Sequence, residues 1–470
     1  MRGLVGYGVY VPYSRLDRKA IAAALGAPGG AGTRSVASYD EDTTSLGVEA
    51  ARAALRAAPV ARPDALFFAT SLPAYLDKTN ATAIHAALGL DAGTLACDML
   101  GSVRSGAGAL RAALQGGGLT LVVHADIRTG LPGGPDERDG GDGAAALLCA
   151  DDSRELPVLA EPVAHASATA EFLERWRVPG EPASHQWEER FGEHAYVPLG
   201  EAAVTEALKH AGVTAPAIHH WIIAGPHTRA AKRLAASVGA TKGTVTDDLA
   251  AVVGNTGTAH AALLLAQALD GAAADQLIAV VSLADGCDVT IWRTTAALPG
   301  RRPKARAGAI TGGGQVSYQA FLTWRGFLQR EPPRRPDPEP PAAPPSRRAE
   351  DWKFAFTGSR CETCGARHLP PQRVCVKCHA MDRMAPERLA DVPATIATFT
   401  VDRLAYSLSP PVVAAVIDFE GGGRFQCELT DVDPAAVRIG DQVEMTFRRL
   451  FTAHGVHNYF WKARPVRPQV

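Results

Sequence analysis

The sequence lacks an excess of either charge, since 48 lysines and arginines stand against 49 acidic residues, a net charge of -1. This balance argues against a general attraction to nucleic acids or membrane surfaces. Uninterrupted apolar runs of about 18 residues, which a membrane-spanning helix requires, are also lacking. The first residues, MRGLVGYGVYVPYSRL, have neither the basic stretch nor the apolar core of a signal peptide. We therefore expect a cytoplasmic protein without nucleic-acid or membrane partners.

A disulfide framework is lacking as well, although the chain has eight cysteines. Four are scattered, and four fall in the segment CETCGARHLPPQRVCVKCHA, as two C-x-x-C pairs separated by ten residues. A redox site would need only one such pair, whereas four thiolates complete the tetrahedral shell of a structural zinc ion. The predicted ligands are Cys361, Cys364, Cys375 and Cys378. His368 and His379 are then expected at the surface.

With 470 residues the chain is too long for one hydrophobic core, and its composition changes along the sequence, which indicates several domains. Residues 331–346, EPPRRPDPEPPAAPPS, are so rich in proline and charge that we expect neither helix nor strand, and predict a linker over 329–350. The zinc segment follows at 351–390. Short alternating runs separated by turn residues then predict an OB-fold β-barrel over 391–470, its strands at 394–401, 411–420, 424–430 and 442–451.

Before the linker, apolar strand-like runs alternate with Ala-rich helical stretches, which indicates a layered α/β fold. The strands are expected at 65–70, 119–126, 144–150, 220–225 and 276–283, and the helices at 43–58, 105–117, 201–212 and 257–271. A faint repeat relates GSVRSGAGALRAAL and the strand after it to GNTGTAHAALLLAQAL and its strand. Two halves, 1–160 and 161–328, would place two helix N-termini at a shared site.

Particular segments of this α/β part resemble the thiolase superfamily, and most closely its 3-hydroxy-3-methylglutaryl-CoA synthase branch. They are GYGVYVP (6–12), YDEDTTSLGVEAARAAL (39–55), TSLPAYLDKTNATAIHAALG (70–89), VVGNTGTAHAALL (252–264) and QVSYQAFLTWRGFL (315–328). The tail, with VIDFEGGGRF (416–425) after the zinc segment, resembles the DUF35 OB-fold proteins that accompany thiolases. The resemblance implies a layered α-β-α-β-α thiolase fold, a homodimer, and a substrate that is a thioester of coenzyme A or of a carrier protein.

The same resemblance implies a catalytic histidine at His227 and an asparagine at Asn255. A histidine there would polarise a thioester carbonyl or move a proton, and the asparagine amide would donate to a developing oxyanion. Taken without the resemblance, a single histidine at a strand end and an asparagine in N-T-G are ordinary structural residues. Both readings stay open at the level of sequence.

The two remaining groups of the resembled site are missing. Val103 stands where the nucleophilic cysteine is expected, and Ser71 stands where this branch has a glutamate. Cys97 would need a shift of register to serve, and the flanking Ser102 and Ser105 would need a general base within hydrogen-bond distance. We take the loss of the nucleophile as real.

The expected function is therefore an enzyme that makes or breaks a C–C bond of the Claisen or aldol type beside an acyl thioester, without an acyl-cysteine. Thiolase-fold aldolases paired with DUF35 partners are similar by analogy. The alternatives are an acyltransferase with a relocated nucleophile and a non-catalytic scaffold subunit. Tyr75 is a further candidate for the site, and the arginines of 300–306 are candidates for contacts with the coenzyme A phosphates.

Overall fold

The structure, a computed structural model, describes residues 1–26, 30–241, 243–302, 310, 312–334, 336 and 338–467. Its α-helices are Arg18–Leu25, Thr43–Ala57, Ala81–Leu88, Ser105–Gln115, Pro135–Asp139, Glu189–Ala211, Thr228–Ser237, His260–Gly271, Leu298–Arg301, Tyr318–Trp324, Ala343–Arg348 and Glu350–Lys353. Short 3-10 helices cover Ala215–Ala217 and Gly257–Ala259.

A mixed sheet of nine strands runs through the α/β part of the described chain. From edge to edge its strands are His220–Ala224, Leu277–Leu283, Cys287–Thr294, Ala160–Ala168, Arg2–Tyr10, Gly143–Asp151, Thr120–Asp126, Ala65–Thr70 and Leu95–Leu100. Its two halves meet at a single residue pair, Leu4 with Ala160. Smaller sheets are formed by Gly314–Gln315, Ser14–Asp17 and Thr33–Val36, and by Arg175–Trp176 with His185–Gln186.

Neighbouring side chains of a strand point to opposite faces, and this alternation builds the layers. Val122 packs in a core that also contains residues of the other half of the sheet, whereas Val123 faces an outer helix. The helical layers are, in order, Thr43–Ala57, the pair Ser105–Gln115 and His260–Gly271, and Glu189–Ala211. The layered α/β fold expected from the sequence is thereby confirmed.

The C-terminal lobe contains a closed five-stranded barrel and a small three-stranded sheet. The barrel strands are Ala394–Asp402, Val412–Phe419, Arg424–Leu429, Val456–Pro465 and Gln442–Ala453, in spatial order. The small sheet contains Arg367–His368, Thr357–Cys361 and Met384–Arg388. The predicted barrel is confirmed, although its strand Val456–Pro465 had not been expected.

The proline-rich segment 331–346 is not wholly free of regular structure. Ala343–Arg348 is a short helix whose first turn contains proline. Proline is tolerated there because the first N–H groups of a helix have no intrahelical partner. The expectation that no helix begins in this segment is therefore wrong.

Buried ion pairs fasten the barrel to the α/β part. Arg448 lies on a barrel strand, is fully buried, and pairs with Glu41 at 2.7 Å. Arg464 of the neighbouring strand pairs with Glu49 of the outer helix at 2.8 Å. The charges of the two parts neutralise each other in a buried interface. Neither surface is therefore suited to exposure to solvent in the absence of the other part.

Candidate functional site

Val103 lies in the turn between the strand Leu95–Leu100 and the helix Ser105–Gln115. It lines two cavities, of about 490 Å³ and about 410 Å³, and the second also contains Ser71. We call the 410 Å³ space the Val103 cavity. The position expected for a nucleophile therefore does face open space, but it presents only methyl groups.

His227 follows the strand His220–Ala224 and caps the helix Thr228–Ser237. Its Nδ1 accepts a hydrogen bond from the backbone N–H of Ala230 at 3.0 Å. Nε2 must then carry the proton, which it donates to the carbonyl of Glu189 at 2.9 Å. Both ring nitrogens of this buried histidine are thus engaged with the backbone.

The side-chain amide of Asn255 makes two hydrogen bonds, and one of its two N–H groups takes part in neither. Its Nδ2 donates to the carbonyl of Gly225 at 2.7 Å, and its Oδ1 accepts from the N–H of Gly257 at 2.9 Å. The amide carries two N–H bonds, so the second is available to a ligand. Asn255 and His227 line the same cavity of about 250 Å³, which we call the His227 cavity.

Ser71 directly follows the strand Ala65–Thr70 and lies beside a buried carboxylate. Its hydroxyl donates to Oδ2 of Asp126 at 2.9 Å, and its N–H donates to Oδ1 at 2.7 Å. The same carboxylate accepts hydrogen bonds from Thr70 and from the N–H and hydroxyl of Thr258. Asp126 therefore ties the ends of two neighbouring strands to the loop that carries Asn255.

Tyr75 is not among the residues that line either cavity. Its hydroxyl accepts a hydrogen bond from the backbone N–H of His457 at 2.8 Å, and the two ring centroids are 4.7 Å apart. His457 belongs to a barrel strand. Tyr75 thus connects the α/β part to the C-terminal lobe.

The structure distributes the predicted site residues over two adjoining spaces. His227 and Asn255 line one cavity, Ser71 and Val103 line the other, and Arg128 contributes to the walls of both. The described lining residues of both cavities fall between positions 71 and 285, so the C-terminal lobe walls neither. Of the arginines in 300–306, considered for phosphate contacts, Arg306 lies outside the described residues, and Arg301 and Arg302 line neither cavity.

Glu174 is a candidate that the sequence did not reveal. Its side chain is 2 % exposed, lines the His227 cavity, and leaves Oε2 without a hydrogen-bond partner. Burial raises its pKa above the ordinary value, although the nearby charge of Arg175 acts in the opposite direction. A buried carboxyl with a raised pKa is suited to proton transfer near neutral pH. Glu174 lies in no recognisable motif.

A second carboxyl, that of Asp285, borders the Val103 cavity and hydrogen-bonds with the side chain of Ser102. Burial raises its pKa, while this hydrogen bond and the charge of Arg104 oppose the shift. Asp285 adopts a positive φ of 48°, in the left-handed region that a non-glycine residue seldom occupies. A serine hydroxyl and a carboxylate therefore stand together beside the vacant nucleophile position.

The four cysteines of the C-terminal lobe fit one zinc ion. Their sulfur atoms all lie within 4.8 Å of one another, with Cys361 to Cys378 at 3.6 Å and Cys364 to Cys375 at 3.5 Å. A tetrahedral shell with Zn–S bonds of about 2.3 Å needs sulfur separations of about 3.8 Å. Four thiolates leave no open position, so the metal is structural.

One expectation about the zinc segment is wrong, because His368 is buried rather than at the surface. It lies on a short strand of the ribbon, and its buried Nε2 has no hydrogen-bond partner within the described residues. His379 is exposed, as expected.

Comparisons with known proteins match different parts of the chain. Residues 354–382 match the family model described as "ChsH2, rubredoxin-like zinc ribbon domain", and residues 387–448 match "ChsH2, C-terminal OB-fold domain". The hydroxymethylglutaryl-CoA synthase of Aeropyrum pernix is 31% identical over 298 residues, covering 60% of this chain and 82% of the relative. A DUF35 domain-containing scaffold protein of Methanocaldococcus jannaschii is 30% identical over 119 residues, covering 24% and 84%.

Solved structures show the same fold. A hydroxymethylglutaryl-CoA synthase complexed with CoA superposes with a TM-score of 0.61 at 17% identity, covering 68% of this chain and 89% of that one. A 3-oxoacyl-(acyl carrier protein) synthase III from Pseudomonas aeruginosa gives 0.55 at 23% identity, covering 63% and 98%. The predicted thiolase fold is confirmed. Within the described residues, no helix is both long and apolar enough to cross a membrane.

Proposed function

The chain belongs to the hydroxymethylglutaryl-CoA synthase family and carries a DUF35-type C-terminal lobe, and on that premise we propose a cysteine-independent enzyme of acyl thioesters. Its substrate is an acyl group on coenzyme A or a carrier protein. Its reaction makes or breaks a C–C bond next to the thioester, of the Claisen or aldol type. The observation that carries this proposal is the absence of a usable thiol from the site.

All eight cysteines lie within the described residues, and each is unsuited to attack on a thioester. Four form the zinc site. Burial raises the pKa of Cys149, Cys287 and Cys427 to about 12, and burial also raises that of Cys97. None of the eight lines the Val103 cavity or the His227 cavity. Because the thiolate is the reactive form of cysteine, none of these eight residues is a candidate for forming an acyl-cysteine intermediate.

Non-covalent chemistry needs a base and an oxyanion donor, and the His227 cavity offers both. Glu174 can take a proton from the carbon next to the thioester, since its Oε2 is unpartnered and its pKa is raised. The free N–H of Asn255 can then donate to the enolate oxygen. The enolate attacks the carbonyl of a second substrate, and the proton held by Glu174 passes to the resulting alkoxide or, if the second substrate is itself a thioester, to the thiolate that leaves. In the reverse cleavage Glu174 takes the proton of the hydroxyl group, the C–C bond breaks, and the enolate is protonated.

His227 holds a supporting position in this scheme. Its two backbone hydrogen bonds fix the ring beside Glu174 and Asn255. Nε2–H reaches a substrate oxygen only by leaving the carbonyl of Glu189. Its main contribution in the observed geometry is therefore to position the neighbouring groups.

A second candidate function rests on the hydrogen bond between Ser102 and Asp285. Asp285 could act as a general base for the Ser102 hydroxyl, which would then replace the missing thiol. The protein would in that case be an acyltransferase with a relocated nucleophile. A third possibility, a scaffold without turnover, is represented by the name of the DUF35 relative.

Proton exchange at the methyl group of acetyl-CoA in D₂O tests the first proposal without knowledge of the second substrate. We expect the wild-type protein to catalyse exchange, and Glu174→Gln to slow it by about 100-fold, the lower range for a lost general base. Glu171→Gln is the matched control, because Glu171 is exposed on the same loop. Mass spectrometry of the intact protein should show no acetyl adduct.

The three candidate functions give different results in this experiment. Exchange that depends on Glu174, with no adduct, supports the C–C bond enzyme. An acetyl adduct that disappears in Ser102→Ala supports the acyltransferase and contradicts the first proposal. If the protein shows neither proton exchange nor an acetyl adduct, the scaffold role is the candidate that remains.

A further inference from the structure

The larger cavity beside Val103, of about 490 Å³, is not lined by the proton-transferring Glu174. It lies between the helix Ser105–Gln115 and the strand Cys287–Thr294, and we call it the Gly108 cavity. Its volume is within the range of about 300–1,000 Å³ that is usual for small-molecule sites. The small residues of the helix leave this room, since a Cβ atom added at Gly108 would enter open space.

The wall of the Gly108 cavity is mainly hydrocarbon. Its larger apolar side chains come from two helices and two strands, and they are Leu110, Leu265, Val280, Leu283, Val289 and Trp292. Its charged lining residues are Arg104, Arg111 and Asp288, and Arg104 neutralises Asp288 across an N–O distance of 2.7 Å. Because Val103 and Arg111 both line the cavity, it runs along about two turns of the helix. This shape is suited to an aliphatic chain.

The Gly108 cavity adjoins the groups that would hold the thioester. Val103 and Ala284 line both this cavity and the Val103 cavity. Gly225, whose carbonyl accepts the amide N–H of Asn255, lines it as well, and so does Gly257, whose N–H binds the Asn255 oxygen. A molecule in the Gly108 cavity therefore has one end next to the residue that would donate to the enolate.

The other two cavities are less suited to a hydrocarbon chain, because charged side chains line both. In the His227 cavity these are Arg128, Asp136, Arg138, Asp139, Glu174 and Glu189. In the Val103 cavity they are Arg128, Arg175, Arg177, Glu181 and Asp285. A chain placed against such groups would displace their hydration at a cost in free energy. Of these three adjoining spaces, the Gly108 cavity is therefore the one in which hydrocarbon is best accommodated.

We propose that the Gly108 cavity binds the hydrocarbon chain of an aliphatic aldehyde or ketone, which is the second substrate of the proposed reaction. This inference rests on the proposed function, because it names the carbonyl compound that the enolate attacks. The enolate carbon forms a C–C bond to the carbonyl carbon, the C=O double bond opens, and the alkoxide takes the proton held by Glu174. The product is a 3-hydroxyacyl thioester, and no oxidant or further reactant is consumed. The chain gains its binding free energy by leaving water.

Incubation of acetyl-CoA with octanal or with acetaldehyde tests this proposal, since the two aldehydes differ only in the hydrocarbon chain. Liquid chromatography with mass spectrometry measures the products, 3-hydroxydecanoyl-CoA and 3-hydroxybutyryl-CoA. We expect kcat/KM of the wild-type protein for octanal to exceed that for acetaldehyde at least about tenfold, the effect of burying about two methylene groups. Acetoacetyl-CoA is supplied in a separate reaction as a thioester acceptor.

Gly108→Leu fills the cavity and is compatible with the helix, because its side chain enters open space and leucine favours a helix more than glycine does. We expect this variant to lose the preference for octanal over acetaldehyde. Gly117→Leu is the matched control, since a Cβ atom added there also enters open space but Gly117 does not line the cavity. The control should keep the preference of the wild type.

Equal kcat/KM values of the wild-type protein for the two aldehydes would overturn the proposal, and so would an unchanged preference in Gly108→Leu. Product from acetoacetyl-CoA but from neither aldehyde would also overturn it, because the second substrate would then be a thioester. In each of these cases proton exchange at acetyl-CoA in D₂O shows separately whether the proposed function holds. If the wild type catalyses no exchange, the proposed function fails and this inference fails with it.

Discussion

Val103 offers no nucleophile at the position where the resemblance predicts a cysteine. Val103 borders two cavities, and valine and cysteine differ little in volume. A thiol there would lie next to the N-terminus of the helix Ser105–Gln115, where the helix dipole favours the thiolate. We therefore expect Val103→Cys to gain an acetyl adduct on incubation with acetyl-CoA, detected by intact-protein mass spectrometry, while the wild type gains none.

Val103→Ala is the control for this variant, because it enlarges the space without adding a nucleophile. Peptide mapping should place the adduct at position 103. If Val103→Cys folds with an unchanged melting temperature and still acquires no adduct, the Val103 cavity does not receive thioesters, and the proposed site is wrong.

Single residues also mark the limit of what the sequence could predict about the site. Resemblance alone pointed to His227 and Asn255, and the fold does bring these two to one cavity. Glu174 follows no motif, because it acts through burial and through neighbours distant in the chain.

At the scale of elements, regular strands were predicted well because each buries side chains with a period of two or as a continuous apolar run. The strand expected at 65–70 is Ala65–Thr70. The helix expected at 201–212 instead spans Glu189–Ala211, with Pro198 inside it. Pro198 and Gly192 interrupt the helical pattern, so the sequence did not predict the first half of this helix. Gly192 is nevertheless required there, because a Cβ atom would lie 2.6 Å from the His227 ring.

The outer helix Thr43–Ala57 carries the charge on which docking of the barrel depends. Glu49 is buried on this helix, which by itself would raise its pKa, but Arg464 and Arg52 lower it to about 2. A carboxyl with a depressed folded-state pKa stabilises the fold above its unfolded value of about 4.3, and that stability is lost as pH falls toward 2. We expect Glu49→Gln to unfold about 3 kcal/mol more easily at pH 7.

Denaturant titrations of wild type and variant at several pH values measure this effect. The difference in unfolding free energy between them should shrink as pH decreases from about 4.5 toward 2. Glu155→Gln, at an exposed position, is the control and should match the wild type throughout. A difference that stays constant over this range would show that Glu49 stabilises the protein by packing alone.

At the scale of the whole molecule, the α/β part and the C-terminal lobe share one core. Leu46 and Val123 belong to the same buried cluster as Phe447 and Trp461 of the barrel. The sequence could predict each part from its local pattern. Their docking depends on pairs such as Glu49 with Arg464, which are 415 positions apart, and no local pattern encodes such a contact.

One edge of the large sheet is a candidate surface for the predicted homodimer. The strand Leu95–Leu100 pairs with Ala65–Thr70 on one side and, within the described residues, with no strand on the other. Leu95 is 57% exposed on this edge. Free N–H and C=O groups of an edge strand are a template for pairing with another chain. We propose that a second copy of the protein covers this edge.

Sedimentation equilibrium should then give a mass of twice 49.3 kDa for the wild-type chain. We expect Leu95→Lys to shift the equilibrium to the monomer, because each copy would bury a lysine in the interface, where the charge loses its hydration. Val60→Lys removes an apolar side chain of similar exposure, 51%, from another surface and should remain dimeric. If Leu95→Lys keeps the dimeric mass, or if the wild type is a monomer, the exposed edge is not the interface.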